Sequence, residues 1–222
     1  MSSAVIQLLV LAGIAIFLIL RLRSVLGTRE GFEKPPVTNS ESGAARSEGR
    51  PEFEVIEGGP DTDITDHVPE DGPAAKALAA MKSADPDFHV GEFLHGARQA
   101  YEMILMAFEN GDMDDVVPLL SRDVYESFIE VVELREKEGL KVEANFIGLR
   151  EIKLIAASMD PSTDEAEITV RFDAELTSVV RDRDGEIVEG DPNEVKRQRD
   201  VWTFARVMSG DDPNWQLVAT GE

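Results

Sequence analysis

The segment 165-EAEITVRFDAEL-176 decides the fold class of this chain. From Glu167 to Leu176, charged or polar residues alternate with apolar residues at every position. A period of two residues predicts a β-strand with one buried face and one solvent-exposed face. Half-exposed strands are typical of antiparallel sheets, because parallel sheets are covered on both faces and their strands are apolar throughout. The segment therefore predicts one strand of an antiparallel sheet.

Further strands are predicted on both sides of this segment. Residues 142–159 indicate a long strand with a bulge near Gly148, and residues 160–164 indicate the turn that follows it. Beyond a second turn at Asp184 and Gly185, two more strands are indicated, at residues 195–207 and 215–219. We therefore expect an antiparallel meander.

Helical periodicity precedes these strands. One helix carries apolar residues three or four positions apart and ends at Gly111. A second helix begins after Ser121, a good N-cap residue, and stops near Gly139. The apolar residues of the first helix are Phe93, Ala97, Tyr101, Ile104 and Phe108. Helices followed by a meander predict an α+β domain over residues 85–222, with the N-terminal helices packed on one face of a curved antiparallel sheet.

A polar segment over residues 24–84 precedes the predicted domain. Between Glu30 and Asp71 it contains twelve acidic residues and three basic ones, with no sustained apolar period. This composition predicts a disordered linker that charge repulsion extends, with one short amphipathic helix near 73–83.

The first 23 residues predict a transmembrane anchor. The run from Ala4 to Leu20 is apolar except at Gln7 and Gly13, and about 20 helical residues cross a hydrocarbon core about 30 Å thick. A signal peptide would carry its positive charge before the apolar run, whereas here the charge follows it. A buried helix of a globular domain is the alternative. Three arginines follow the apolar run: Arg21, Arg23 and Arg29. Because positive flanks stay in the cytoplasm, they predict an N-terminus outside the cell membrane and a cytoplasmic domain.

Composition excludes several classes of function. The formal net charge of -22 opposes binding to nucleic acid, and the absence of cysteine excludes disulfides and thiolate chemistry. The three histidines, His67, His89 and His95, have no metal-ligand spacing, so no metal or cofactor is expected. No catalytic constellation is evident. An enzyme related in fold to ketosteroid isomerases would need an inward-facing acid, for which Asp200 is the candidate.

Two sets of residues are candidates for binding. The aromatic set either packs the core or lines an apolar pocket for an acyl chain or a partner's side chains. It consists of Tyr101, Phe108, Tyr125, Phe128, Phe172, Trp202, Phe204 and Trp215. The basic set is either a solvated strand edge or a docking patch for an acidic partner or a lipid head group. It consists of Lys196, Arg197, Arg199 and Arg206.

The order of these elements resembles the C-terminal domain of the Tim44-like family from Asp85 to Val218. The first group of similar residues is Asp85, Pro86, Asp87, Phe88, Glu92, Phe93, Leu94, Gly96, Ala97, Tyr101, Ile104, Phe108, Gly111 and Asp112. The second group is Leu119, Leu120, Val124, Tyr125, Phe128, Trp202, Phe204, Arg206, Asp212, Pro213, Trp215, Leu217 and Val218. The N-terminal anchor makes the chain most similar to the bacterial members, the TimA-type proteins of alphaproteobacteria.

The resemblance implies a cystatin-like domain of the nuclear-transport-factor-two type, with an apolar pocket and no enzymatic activity. It implies a single-pass adaptor of the bacterial inner membrane that binds membrane or chaperone proteins during membrane-protein insertion, assembly, translocation or quality control. A module that binds lipid or a small hydrophobic ligand is the alternative. The chain departs from the mitochondrial members in having its own predicted anchor and an acidic linker, where those members have a basic, helical segment.

Overall fold

The computed structural model describes residues 60–221. Its helices are α1 (Thr62–Thr65), α2 (Pro73–Ala84), α3 (Val90–Asn110), a 3₁₀ helix (Asp114–Leu119) and α4 (Arg122–Glu138). Its strands are β1 (Lys141–Met159), β2 (Glu165–Arg181), β3 (Ile187–Gly190), β4 (Lys196–Val207) and β5 (Gln216–Gly221). The predicted anchor, its three flanking arginines and the predicted linker as far as residue 59 lie outside the described residues. Between residues 60 and 221, no helix has the length and apolarity to cross a membrane.

The strands form one antiparallel sheet in the order β1-β2-β4-β5, and β3 pairs with the end of β2. Helices α2 and α3 pack against β1, and α4 contacts β5. This arrangement confirms the α+β prediction of helices packed on a curved antiparallel sheet.

The two faces of the sheet follow the alternation of β2. Ile168, Val170 and Phe172 are completely inaccessible on the inner face, which the helices cover. Glu167 lies on the outer face and is exposed. In the register between strands, Phe172 lies opposite Ile152 of β1 and Asp200 of β4. Inward rows on neighbouring strands therefore meet in one apolar layer.

Three irregularities in β1 bend this sheet. The register with β2 shifts between Phe146 and Gly148, again between Leu149 and Glu151, and again between Leu154 and Ala156. The extra residues at these bulges are Ile147, Arg150 and Ile155. Each bulge resets the alternation, so that the apolar residues of β1 return to the inner face although their spacing in the sequence is irregular. The bulges also explain why two isoleucines of this strand are about half exposed.

The helix ends lie where the sequence predicts them. Helix α3 ends at Gly111 with φ of 76°, and α4 ends at Gly139 with φ of 73°. Both values fall in the left-handed region that glycine adopts at little steric cost. The Ser121 hydroxyl accepts a hydrogen bond from the Val124 amide and caps α4.

The packed unit begins earlier than residue 85. Leu78 and Met81 of α2 are fully buried, and Ile64 and Val68 belong to the same core cluster. The sequence predicts a disordered linker over residues 24–84 with one short amphipathic helix near 73–83. Helix α2 lies at the position predicted for that helix, whereas Ile64 and Val68, which fall in the part predicted to be disordered, pack in the core.

Candidate functional site

An aromatic cluster occupies the inner face of the sheet. The Tyr101 ring stacks on Phe172 with centroids 4.3 Å apart and an interplanar angle of 12°. Trp202 lies 4.7 Å from Tyr101 and 5.8 Å from Phe172. All three residues are buried, Tyr101 and Phe172 completely. They are therefore packed against one another.

The other aromatic candidates extend this packing. Phe108 of α3 lies 4.7 Å from Phe128 of α4, and Tyr125 is partly buried against the core. Phe204 lies 6.0 Å from Phe93, which in turn lies 4.8 Å from Trp215. Of the surface depressions in the described chain, one lies on α3 beside Gln99, Glu102, Met103 and Met106, and another lies on the outer face of the sheet. Neither is lined by the aromatic set, so the apolar pocket stays a prediction.

A polar group adjoins the aromatic cluster. The Tyr101 hydroxyl donates a hydrogen bond of 2.5 Å to Oδ2 of Asp200, and Gln198 Nε2 donates one of 2.9 Å to the same oxygen. Burial raises the pKa of Tyr101, and its bond to the Asp200 carboxylate raises that pKa further. The phenol therefore stays protonated as a donor. Asp200 shares its inward row with Trp202 and Phe204, as the sequence suggested.

Glu109, near the end of α3, is a further half-buried acid. Burial raises its pKa, an effect that the positive charges of Arg135 and Lys196 reduce but do not cancel. Arg135 donates from Nη1 to the Phe108 carbonyl at 3.2 Å, and its guanidinium lies 4.5 Å from the Phe108 ring centroid. Charged groups of α3, α4 and β4 thus meet near the same end of the inner face. No pattern in the sequence indicates this grouping of charges, because Glu109 follows Phe108 in an ordinary helical repeat.

The four basic candidates do not form one patch. Lys196 pairs with the inward Leu176, and Arg206 pairs with the inward Ala166. Arg197 and Arg199 lie on the opposite face, where they pair with Glu175 and Asp173. Alternation along β4 therefore separates Lys196 and Arg206 from Arg197 and Arg199. The same period of two was visible in the sequence.

Arg197 and Arg199 belong to two separate groups of ion pairs, each of which extends across β1, β2 and β4. Arg199 Nε lies 2.7 Å from Asp173 Oδ1, and Arg197 Nε lies 3.3 Å from Glu175 Oε1. The hydrogen bond from Arg199 holds the pKa of Asp173 below its usual range. Arg150 Nη1 also approaches Glu175, at 3.2 Å. Arg150, Asp173, Arg197 and Arg199 line the depression on the outer face.

Arg206 connects distant parts of the inner layer. Its side chain is 9% exposed and pairs with the Asp85 carboxylate, which precedes α3. It also donates to the Pro213 carbonyl at 3.3 Å, and its guanidinium lies 5.6 Å from the Trp215 ring centroid. The hydrogen bond from Arg206 lowers the pKa of Asp85. This arginine therefore joins the turn between α2 and α3 to the turn between β4 and β5.

The N-terminus of α3 has a cap from far along the chain. Asp63 accepts hydrogen bonds from the amides of Val90 and Gly91, at 2.9 and 3.0 Å, and Lys82 Nζ lies 3.0 Å from the same carboxylate. Burial alone would raise the pKa of Asp63, but these bonds outweigh it and lower the pKa. The adjacent residue, His89, makes no side-chain cap. No local pattern reveals a cap that lies 27 positions away.

Metal chemistry has no evident site in the part of the chain that the structure describes. Among residues 60–221, no three His, Asp or Glu side chains are grouped so that they could hold a metal ion.

Comparison with known proteins gives a family and remote relatives. A family model described as "Tim44-like domain" matches residues 74–222. Mitochondrial import inner membrane translocase subunit TIM44 is 24% identical over 147 residues in Rattus norvegicus and 26% identical over 147 residues in Homo sapiens. TIM44-1 of Arabidopsis thaliana is 23% identical over 150 residues. Each alignment covers 65% of this chain but only 31–32% of the relative.

One solved structure also shows a distant likeness. The intermembrane space region of chloroplast protein ARC6 superposes with a TM-score of 0.38 at 12% identity, covering 59% of this chain and 92% of that chain. A likeness this distant carries no argument about function.

Proposed function

This chain belongs to the Tim44-like domain family, and we propose that it is a membrane-associated adaptor in protein translocation. The observation that carries the proposal is the family match over residues 74–222, which runs from α2 through β5. The curated relatives are subunits of an import translocase of the mitochondrial inner membrane. The chain spans about a third of the length of these relatives. We therefore extend to this chain only the general role of an adaptor.

The finer proposal is a single-pass protein of the bacterial inner membrane. The apolar run from Ala4 to Leu20 and the arginines that follow it support an anchor whose domain faces the cytoplasm. Its partners are membrane proteins and chaperones engaged in insertion, assembly, translocation or quality control.

Two features of the described domain bear on the alternatives to an adaptor. The aromatic rings on the inner face pack against one another, as in an ordinary core, and line neither the arginine-rich depression on the outer face nor the depression on α3. Asp200, the candidate catalytic acid, already accepts hydrogen bonds from Tyr101 and Gln198. These two bonds fix the position of the Asp200 carboxylate beside the aromatic cluster and account for its place on the inner face without a catalytic role.

Affinity capture tests the adaptor role. The full chain is tagged and recovered from native membranes in mild detergent, beside a control chain that carries only residues 1–59. We expect translocase or chaperone subunits to be enriched with the full chain alone. Recovery of the same proteins with both chains would contradict an adaptor role for the domain.

Single-cysteine labelling tests the topology, and the native chain contains no cysteine that would interfere. One variant is Ser3→Cys, before the apolar run, and the other is Ser209→Cys, in the exposed turn after β4. A membrane-impermeant maleimide applied to spheroplasts should label the first variant and leave the second unlabelled until the cells are lysed. Labelling of Ser209→Cys in intact spheroplasts would place the domain on the other side of the membrane.

A further inference from the structure

The depression on the outer face of the sheet has a built arrangement of charge. It lies across β1, β2 and β4, on the face opposite the aromatic cluster. The charged residues that line it are Arg150, Glu151, Asp173, Arg197 and Arg199. We refer to this depression as the arginine groove.

The arginine groove reverses the charge of the chain locally. Around it, four guanidinium groups face three carboxylates in two separate groups of ion pairs. The guanidinium groups are those of Arg150, Arg171, Arg197 and Arg199, and the carboxylates are those of Glu151, Asp173 and Glu175. The whole chain has a formal charge of -22. A locally positive groove on an acidic protein attracts anionic groups and repels cationic ones.

The two arginines of β4 are oriented by these ion pairs and remain accessible. Arg197 and Arg199 contact their carboxylates through Nε, and the described ion pairs use neither terminal nitrogen of either side chain. Their side chains are 74% and 65% exposed. A guanidinium carries five N–H donors in a fixed plane, so each arginine can bind a second carboxylate without leaving the first.

The spacing of these arginines matches an extended peptide. Arg197 and Arg199 lie two positions apart on one face of a strand, which places their Cα atoms about 6.6 Å apart. Carboxylates on alternate residues of an extended peptide have the same repeat. A continuous anionic bilayer fits less well, because Glu151 and Asp173 line the groove between its arginines and interrupt the positive surface that a bilayer of anionic head groups would need.

We propose that the arginine groove is the docking surface for an extended acidic segment of a protein partner, with carboxylates on alternate residues. This proposal rests on the proposed adaptor function for the existence of a partner and adds the chemistry by which the partner is recognised.

Two synthetic peptides of equal composition test the proposal on the full chain in detergent micelles. The fluorescent peptide TETETET places its glutamates on one face when it is extended, and ETTETTE places successive glutamates on opposite faces. We expect TETETET to bind about threefold tighter than ETTETTE, because it can place one more glutamate against the groove arginines. One exposed ion pair of this kind contributes less than about 1 kcal/mol. The double variant Arg197→Gln/Arg199→Gln should bind it about tenfold more weakly than the native chain does. Added salt should weaken the native interaction.

The matched control is Arg122→Gln. Arg122 is 87% exposed on α4 and has a single ion pair with Glu126, so this variant removes an accessible arginine away from the groove. It should bind TETETET as the native chain does. Circular dichroism of each variant confirms that the fold is intact.

Several outcomes would overturn the proposal. The first is that TETETET does not bind at concentrations up to about 1 mM. The second is that the two peptides bind with equal affinity, and the third is that the double variant binds TETETET as tightly as the native chain does. Displacement of TETETET by monomeric short-chain phosphatidylglycerol at lower concentration than by unlabelled TETETET would assign the groove to lipid head groups. Each of these failures would leave the adaptor function intact, because capture from membranes tests that function separately.

Discussion

Arginines on the two faces of β4 have different surroundings and therefore different roles. On the inner face, Arg206 is 9% exposed and pairs with Asp85, whose side chain is 22% exposed. On the outer face, Arg197 is 74% exposed and contacts Glu175 by a single nitrogen. Removing one partner of a buried pair leaves a charge without solvation, whereas an exposed charge is solvated by water. The inner charge therefore stabilises the fold, and the outer charge is available for binding.

Truncation of an inner aromatic residue should have the largest effect. Phe172→Ala removes a completely buried ring that contacts Tyr101, Trp202 and Phe204. We expect it to lower the free energy of unfolding by about 3–5 kcal/mol, because it leaves a cavity in a close-packed layer. Glu167→Ala, on the exposed row of the same strand, should change it by less than about 0.5 kcal/mol. Urea denaturation of both variants measures the difference, and similar losses would contradict the assignment of the two faces.

A comparison of arginines on the same strand should show a smaller effect. Arg206→Gln leaves Asp85 without its guanidinium partner, so we expect a loss of about 2 kcal/mol in the free energy of unfolding. Arg197→Gln should lose less than about 0.5 kcal/mol. Thermal and urea denaturation of the two variants would check this order. A larger loss of unfolding free energy in Arg197→Gln than in Arg206→Gln would contradict the different roles assigned to the two faces of β4.

The Arg206 pair should also respond to pH. Because Arg206 lowers the pKa of Asp85 in the folded state, the pair contributes stability above the unfolded pKa of about 3.9 and loses it as the pH falls. Asp85→Asn should therefore be less stable than the native chain at pH 7 by about 1–2 kcal/mol. The gap should narrow as the pH falls below about 4. Denaturation curves from pH 7 to pH 2.5 measure it, and a constant gap would show that the carboxylate charge does not matter.

The smallest effect is predicted for Glu109, whose replacement should stabilise the fold rather than destabilise it. Burial raises the pKa of Glu109, so the folded state becomes less stable as the pH rises above the unfolded pKa of about 4.3 and the carboxylate ionises. Glu109→Gln should raise the melting temperature at pH 7 and leave it unchanged at pH 4. Calorimetry at both values tests this expectation. A destabilised variant at pH 7 would mean that the electrostatic attraction of Arg135 and Lys196 outweighs the cost of burying the carboxylate.

Local patterns in the sequence predicted the helix ends and the faces of β2. Gly111 and Gly139 end their helices because their backbone is left-handed, and Ser121 begins α4 because its hydroxyl accepts from a nearby amide. Each of these features depends only on residues close by in the sequence. The alternation around Phe172 likewise needs only the strand period. These features were therefore visible before the structure.

Contacts between distant segments could not be predicted in this way. The Asp63 cap on α3 and the pairing of Arg206 with Asp85 join residues that no short pattern connects. The alternation of β4 was enough to predict that Lys196 and Arg197 lie on opposite faces of the sheet. Their grouping in one basic set rests on their charge alone. The bulges at Arg150 and Ile155 depend on how β1 fits β2, so only the one near Gly148 was predicted.

The division between the two faces is tested most directly by the Arg197→Gln/Arg199→Gln chain, with peptide affinity and unfolding free energy measured on the same sample. We predict an affinity for TETETET about tenfold weaker than that of the native chain, with an unfolding free energy changed by less than about 1 kcal/mol. Native affinity in this variant would contradict the assignment of the outer face to partner binding.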